Sequence, residues 1–213
     1  MQLLYILPGA FFAPVIHEWV RAVVSTCLGD PTPKQKGFLS FNPFRYFELI
    51  GFILMLMFRM GWGQPVPTSP YYYKNRRRDT IIVNTVPSIA NIVVGVLTIW
   101  LLNAITQPLS QAISSLRVYV AIVFTLLNFA ISNIALAVFN LIPIYPLDGA
   151  KILQLFMRPD QIVRMNHSEK MLQMLLIFMM LFGFLGMMLG PIVNLILALA
   201  GAPGWQQPTI QLF

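Results

Sequence analysis

Four runs of apolar residues, each long enough to cross a hydrocarbon layer of ~30 Å, constrain this chain more than any other feature. They lie at Leu3 to Leu28, Ile81 to Leu102, Val118 to Ile142 and Met171 to Ala200. A helix pairs every backbone NH and carbonyl within its own segment, so the expectation is a mostly helical, polytopic membrane protein. Composition agrees: 57% of the 213 residues are hydrophobic and 10% charged, more apolar side chain than a soluble domain of this size can enclose. The single cysteine, Cys27, excludes a disulfide scaffold, and two histidines exclude a metal site built from His and Cys alone.

The first run is uncharged through residue 16 and then carries His17, Glu18 and Arg21. It lacks a positive n-region, and its polar residues sit deep in the stretch, so it reads as a span rather than a signal peptide. Residues 29 to 45 are rich in Pro, Gly and Lys, and alternation over 37 to 42 predicts a short β element. Tyr46 to Met60 is apolar but short and holds Glu48 and Arg59, which predicts a re-entrant or interfacial segment. Residues 61 to 79 form a Pro-rich, aromatic and basic loop. Residues 150 to 170 are amphipathic, with a helix start at Ser168 capped by its hydroxyl. Gly190-Pro191 is expected to break the last run into a full span and a shorter closing segment. The result is a single integral membrane domain over 1–213. Within it, 28–79 forms a hairpin or re-entrant insertion, 80–148 the core helices and 171–200 a C-terminal helix or helix pair.

If Tyr46 to Met60 does not cross, twelve of the fourteen basic residues fall on one side, and the opposite side keeps only Arg117. The positive-inside rule then makes the basic loops cytoplasmic. The same reasoning makes the run Lys74 to Arg78 a topology determinant or an anionic-lipid contact, and no nucleic-acid partner is expected.

Charges at bilayer depth cost roughly 2.5–3.5 kcal/mol each on insertion scales, so such residues need a partner and usually a task. His17 and Arg21 share a helix face with Glu18 beside them. Asp148 follows the proline-rich turn NLIPIYPLDG. For Glu18 with Arg21 the plain reading is an ion pair that permits burial, and for Asp148 it is a helix cap.

Taken together, these motifs resemble the site-2 protease family of intramembrane zinc metalloproteases (peptidase M50). His17-Glu18-x-x-Arg21 is similar to an HExxH zinc helix with its second histidine replaced, and Asn140-x-x-Pro143-x-x-x-Leu147-Asp148-Gly149 is similar to the second family motif. Between them, Gly61-Trp62-Gly63-Gln64-Pro65-Val66-Pro67 resembles the GWAKPVPV loop, and Val86-Pro87-Ser88-Ile89-Ala90-Asn91 the AGPLSN segment, of small bacterial and archaeal members. The resemblance implies a site-2 protease-like helical core in a bacterial or archaeal cell membrane. It also implies zinc ligands at His17 and Asp148, a general base at Glu18 and an oxyanion-side polar residue at Asn140.

Arg21 departs from that pattern. A guanidinium has no free lone pair and stays protonated, so it cannot ligate a metal, whereas it can pair with Glu18 and Asp148 as a metal-replacing cation. The expected protein is therefore a non-catalytic pseudoprotease without a cofactor. Its expected partners are membrane lipids and transmembrane helices of other proteins, or it serves as a subunit of a larger membrane complex. Two alternatives stay open: an active zinc endopeptidase whose metal shell is completed otherwise, and a lipid- or cofactor-binding scaffold.

Overall fold

The computed structural model describes residues 2–40 and 42–202. Three long helices form the framework: α1 (Gln2–Cys27), α4 (Arg76–Ala112) and α5 (Leu116–Asn140). Between α1 and α4 come a single helical turn, α2 (Thr32–Gln35), and a ten-residue helix, α3 (Leu49–Phe58). After α5 follow α6 (Asp148–Gln154), α7 (Pro159–His167), α8 (Glu169–Leu181) and α9 (Phe184–Leu199). Helices α1, α4 and α5 are each long and apolar enough to cross a membrane, and α8 with α9 adds a fourth crossing if that bent pair is one span.

The three long helices pack closely because small residues line their contacts. A Cβ on Gly95 of α4 would lie 2.5 Å from Ile134 of α5, and one on Gly9 of α1 the same distance from the Ser132 hydroxyl. Asn91 of α4 donates its amide to the Ala13 carbonyl (3.0 Å) and to Asn133 (3.2 Å), joining all three helices. One core layer, including Ala13, Met55, Phe139 and Leu176, joins α1, α3, α5, α8 and α9. A second, around Ile99, Ile134 and Val193, joins α4, α5 and α9.

Residues 30 to 40 and 42 to 73 form one long hairpin laid along α1. Its two ends meet at Asp30, whose carboxylate accepts from Ser25 (2.9 Å), from the Thr32 backbone NH (2.9 Å) and from the Ser69 backbone NH (2.7 Å). The descending arm continues into α3, which Glu48 caps through the backbone NH groups of Ile50 and Gly51. The returning arm, residues 60 to 69, is extended and runs back against α3 and α1. Its Gln64 NH donates to the Tyr46 carbonyl (2.9 Å).

Burial alone would raise the pKa of Asp30, but the hydrogen bonds from Thr32, Ser69 and Ser25 outweigh it and hold the carboxyl below the ordinary aspartate value. A depressed native pKa stabilises the fold above the unfolded value of ~3.9, and that contribution is lost as pH falls through the lower native pKa. Asp30→Asn is therefore expected to lower the unfolding temperature at pH 7. The gap to wild type should narrow steadily as melting curves are taken from pH 5 downward.

Three local expectations are corrected. Among the described residues there is no strand. Gly37, at φ 73°, turns the chain back, and the carbonyls of Phe38 and Ser40 accept from the Tyr46 hydroxyl instead of from a neighbouring strand. Phe41, inside the predicted β element, lies outside the described residues. The last apolar run breaks at Gly183 and not at Gly190-Pro191: Gly183 sits at φ 79°, where glycine alone is unstrained, and α8 and α9 meet at 72°. Pro191 lies inside α9, where one missing NH is tolerated. Ser168 does begin α8, but its hydroxyl makes no cap.

Candidate functional site

Four side chains named from the sequence converge on one buried point. His17, Glu18 and Arg21 project from the second half of α1, and each is at most 5% exposed. Asp148, 1% exposed, is the first residue of α6. The turn from Asn140 to Leu147 brings it there, and Gly149 lets α6 press against the end of α5: a Cβ would meet the carbonyl oxygens of Leu141 and Ile142 at 2.3 and 2.5 Å. Asp148 does not cap the helix, since Leu147 holds that position and makes no side-chain cap.

The Arg21 guanidinium is the hub. Its Nη1 donates to both oxygens of Glu18 (2.9 and 3.0 Å), and its Nη2 donates to Asp148 Oδ2. His17 Nε2 lies 2.9 Å from the same Asp148 oxygen and 3.1 Å from Arg21 Nη2. A carboxylate only accepts, so the ring donates from Nε2, and imidazole and guanidinium converge on one acceptor. His17 Nδ1 is then buried without a hydrogen-bond partner among the described residues. On the far side, Lys151 Nζ approaches Asp148 Oδ1 at 3.3 Å, so the two carboxylates face the Arg21 guanidinium and a lysine amine.

Two contributors were not anticipated from the sequence. Lys151, one turn after Asp148, could have been found from its i,i+3 spacing. The other, the backbone NH of Val66, donates to Glu18 Oε2 at 2.9 Å. Pro65 and Pro67 leave Val66 as the single donor in that tripeptide. Gly63 lets the extended arm lie flat, since a Cβ there would be 2.9 Å from the Tyr46 carbonyl and 3.3 Å from Glu18 Cγ. Asn140 is not brought into the cluster's hydrogen bonding, because its amide donates to the Leu136 carbonyl of its own helix (3.0 Å). His167 is exposed on α7, as its surroundings in the sequence suggest.

A sequence model described as Peptidase family M50 matches residues 4–186. The chain belongs to peptidase family M50. Within the family it is similar to the protein named "Putative zinc metalloprotease YwhC" of Bacillus subtilis (strain 168), with 29% identity over 158 residues covering 72% of this chain and 69% of that one. No solved structure matches it. An all-helical chain with three apolar helices of spanning length accords with an M50 membrane protein.

M50 membership raises zinc as the group to test against these side chains, and their arrangement does not fit it. Catalytic zinc takes three protein ligands and keeps a fourth position open. Here two candidate ligands, His17 and Asp148, already bond one another and share a guanidinium. Among the described residues no three His, Cys, Asp or Glu side chains are grouped to hold a metal. Glu18 accepts three hydrogen bonds, two from the Arg21 guanidinium and one from the Val66 backbone NH.

Proposed function

We propose that this M50 chain is a non-catalytic, site 2 protease-like membrane protein that holds transmembrane segments of other membrane proteins, alone or as a subunit of a membrane complex. The single observation that carries this reading is the Arg21 guanidinium lodged between Glu18 and Asp148 and touching His17. It supplies fixed positive charge where an M50 hydrolase needs a Lewis acid, and it silences the carboxylate that would act as base.

A binding role is supported by an apolar groove beside the cluster. Val15, Ile16 and Trp19 of α1 line it together with Ser40 and Tyr46, and its volume is about 160 Å³. That is below the ~300 Å³ typical of small-molecule sites and suits one large apolar side chain. In this reading the hairpin over 28–79 enters and leaves the membrane on the basic, cytoplasmic side.

A second reading, an active zinc endopeptidase, draws on the name of the Bacillus relative. Zinc content of the purified protein by mass spectrometry separates the two. Wild type is expected to hold no stoichiometric zinc and to leave a membrane reporter uncut, while Arg21→His is expected to take up about one equivalent. Near-stoichiometric zinc in wild type, with reporter cleavage lost in Glu18→Gln, would establish the enzyme instead.

A further inference from the structure

The tip of the long hairpin carries a cation that no acidic side chain among the described residues neutralises. Arg59 follows α3, and its backbone NH closes the helix on the Met55 carbonyl (3.0 Å) at φ 57°. Glycine is the residue this left-handed position favours, so arginine is there for its side chain rather than for its backbone. That side chain is half-buried, and Nη1 is fully enclosed with no hydrogen-bond partner among the described residues.

All seven Asp and Glu residues lie among those described, and each is placed elsewhere. Glu18 and Asp148 hold Arg21, and Asp30 ties the hairpin ends. Glu48 caps the opposite end of α3, and Asp79 pairs with Arg78. Asp160 and Glu169 sit in the first turns of α7 and α8. Buried cations in membrane proteins find a partner, and among the described residues no acidic side chain supplies one for Arg59.

Position narrows its chemistry. Phe52 packs against Phe11 of α1, and α3 then runs seven residues further to Arg59, about 10 Å along its axis. The hairpin steps from Tyr46 beside Val15 and Trp19 to Phe52 beside Phe11, so α3 points toward the N-terminal end of α1 and carries Arg59 away from the basic loops among which the sequence count places it. Along α3 the outward residues Ile50, Ile53 and Met57 are exposed and apolar, a face suited to acyl chains. A guanidinium at the end of such a helix reaches for headgroups, and its fork matches a phosphate diester. We infer that Arg59 binds the phosphate of a phospholipid in the leaflet at the α1 N-terminal end, fixing the hairpin tip there.

The full chain in detergent would be titrated with phosphatidylglycerol, with a phosphate-free galactolipid of the same acyl chains, and with inorganic phosphate. Thermal unfolding and native mass spectrometry would be the readouts. The wild type is expected to be stabilised by phosphatidylglycerol alone and to retain it as a bound adduct. Arg59→Gln is expected to retain it roughly ten-fold less, and Arg59→Lys to fall between. Equal retention by wild type and Arg59→Gln, or equal stabilisation by the galactolipid, overturns the site. Full stabilisation by inorganic phosphate overturns its lipid source. Loss of a co-purifying protein in Arg59→Gln with lipid retention unchanged assigns the arginine to a partner carboxylate and overturns it as well. Should Arg59→Gln fail to fold, the wild-type titration and Arg59→Lys still decide.

Discussion

Arg21→Met is expected to cost about 3–5 kcal/mol of stability, enough to empty the folded state of many membrane proteins. The methionine roughly matches the arginine in length, so packing changes little. What is lost is the counter-charge of Glu18 and Asp148, buried side by side, together with the donors that served three of their four oxygens. Lys151 stays on Asp148 Oδ1 at 3.3 Å and Val66 on Glu18, which is too little for two charges at that depth. Neutralising the carboxylates tests this origin: Arg21→Met combined with Glu18→Gln and Asp148→Asn should recover most of the loss, although neither single neutralisation stabilises wild type. Thermal unfolding in detergent or bicelles gives the comparison. If Arg21→Met melts within a degree or two of wild type, the guanidinium is not the electrostatic centre of the site.

That cluster was legible in the sequence because its parts carry signatures: i,i+3 and i,i+4 spacing puts Glu18, His17 and Arg21 within reach on one helix, and the LDG turn marks Asp148. The long helices were legible too, as apolar runs whose ends needed adjustment. Helix α4 begins at Arg76, five residues before its apolar run, since the Asn75 side chain caps the Arg78 NH (3.1 Å). What stayed hidden depends on contacts between distant backbones. No side-chain pattern announces that the Val66 NH meets Glu18, or that Asn140 spends its amide on its own helix. The hinge was misplaced for a similar reason: a proline inside a helix loses one hydrogen bond, whereas a glycine free to take positive φ can end the helix outright.

Gly51→Ala is expected to disrupt the fold by about 3 kcal/mol or more, at or beyond the top of the usual overpacking range. A Cβ on Gly51 would stand 1.9 Å from the Trp62 carbonyl oxygen and 2.9 Å from both its carbonyl carbon and its nitrogen. All three are backbone atoms of the returning arm, so no rotamer change relieves the clash, and the arm itself must lift from α3. Lifting it withdraws Gly63 from Tyr46 and Val66 from Glu18, so the damage reaches the charge cluster without touching a charged residue. Gly190→Ala is the matched control. A Cβ there meets nothing within 4 Å, and removing a glycine from a helix interior stabilises by roughly 0.5–1 kcal/mol. Opposite signs from these two variants in one unfolding assay would establish that the hairpin is held by backbone contact at Gly51. A neutral Gly51→Ala would mean that its two arms are not packed against each other, and that Glu18 meets Val66 by some other support.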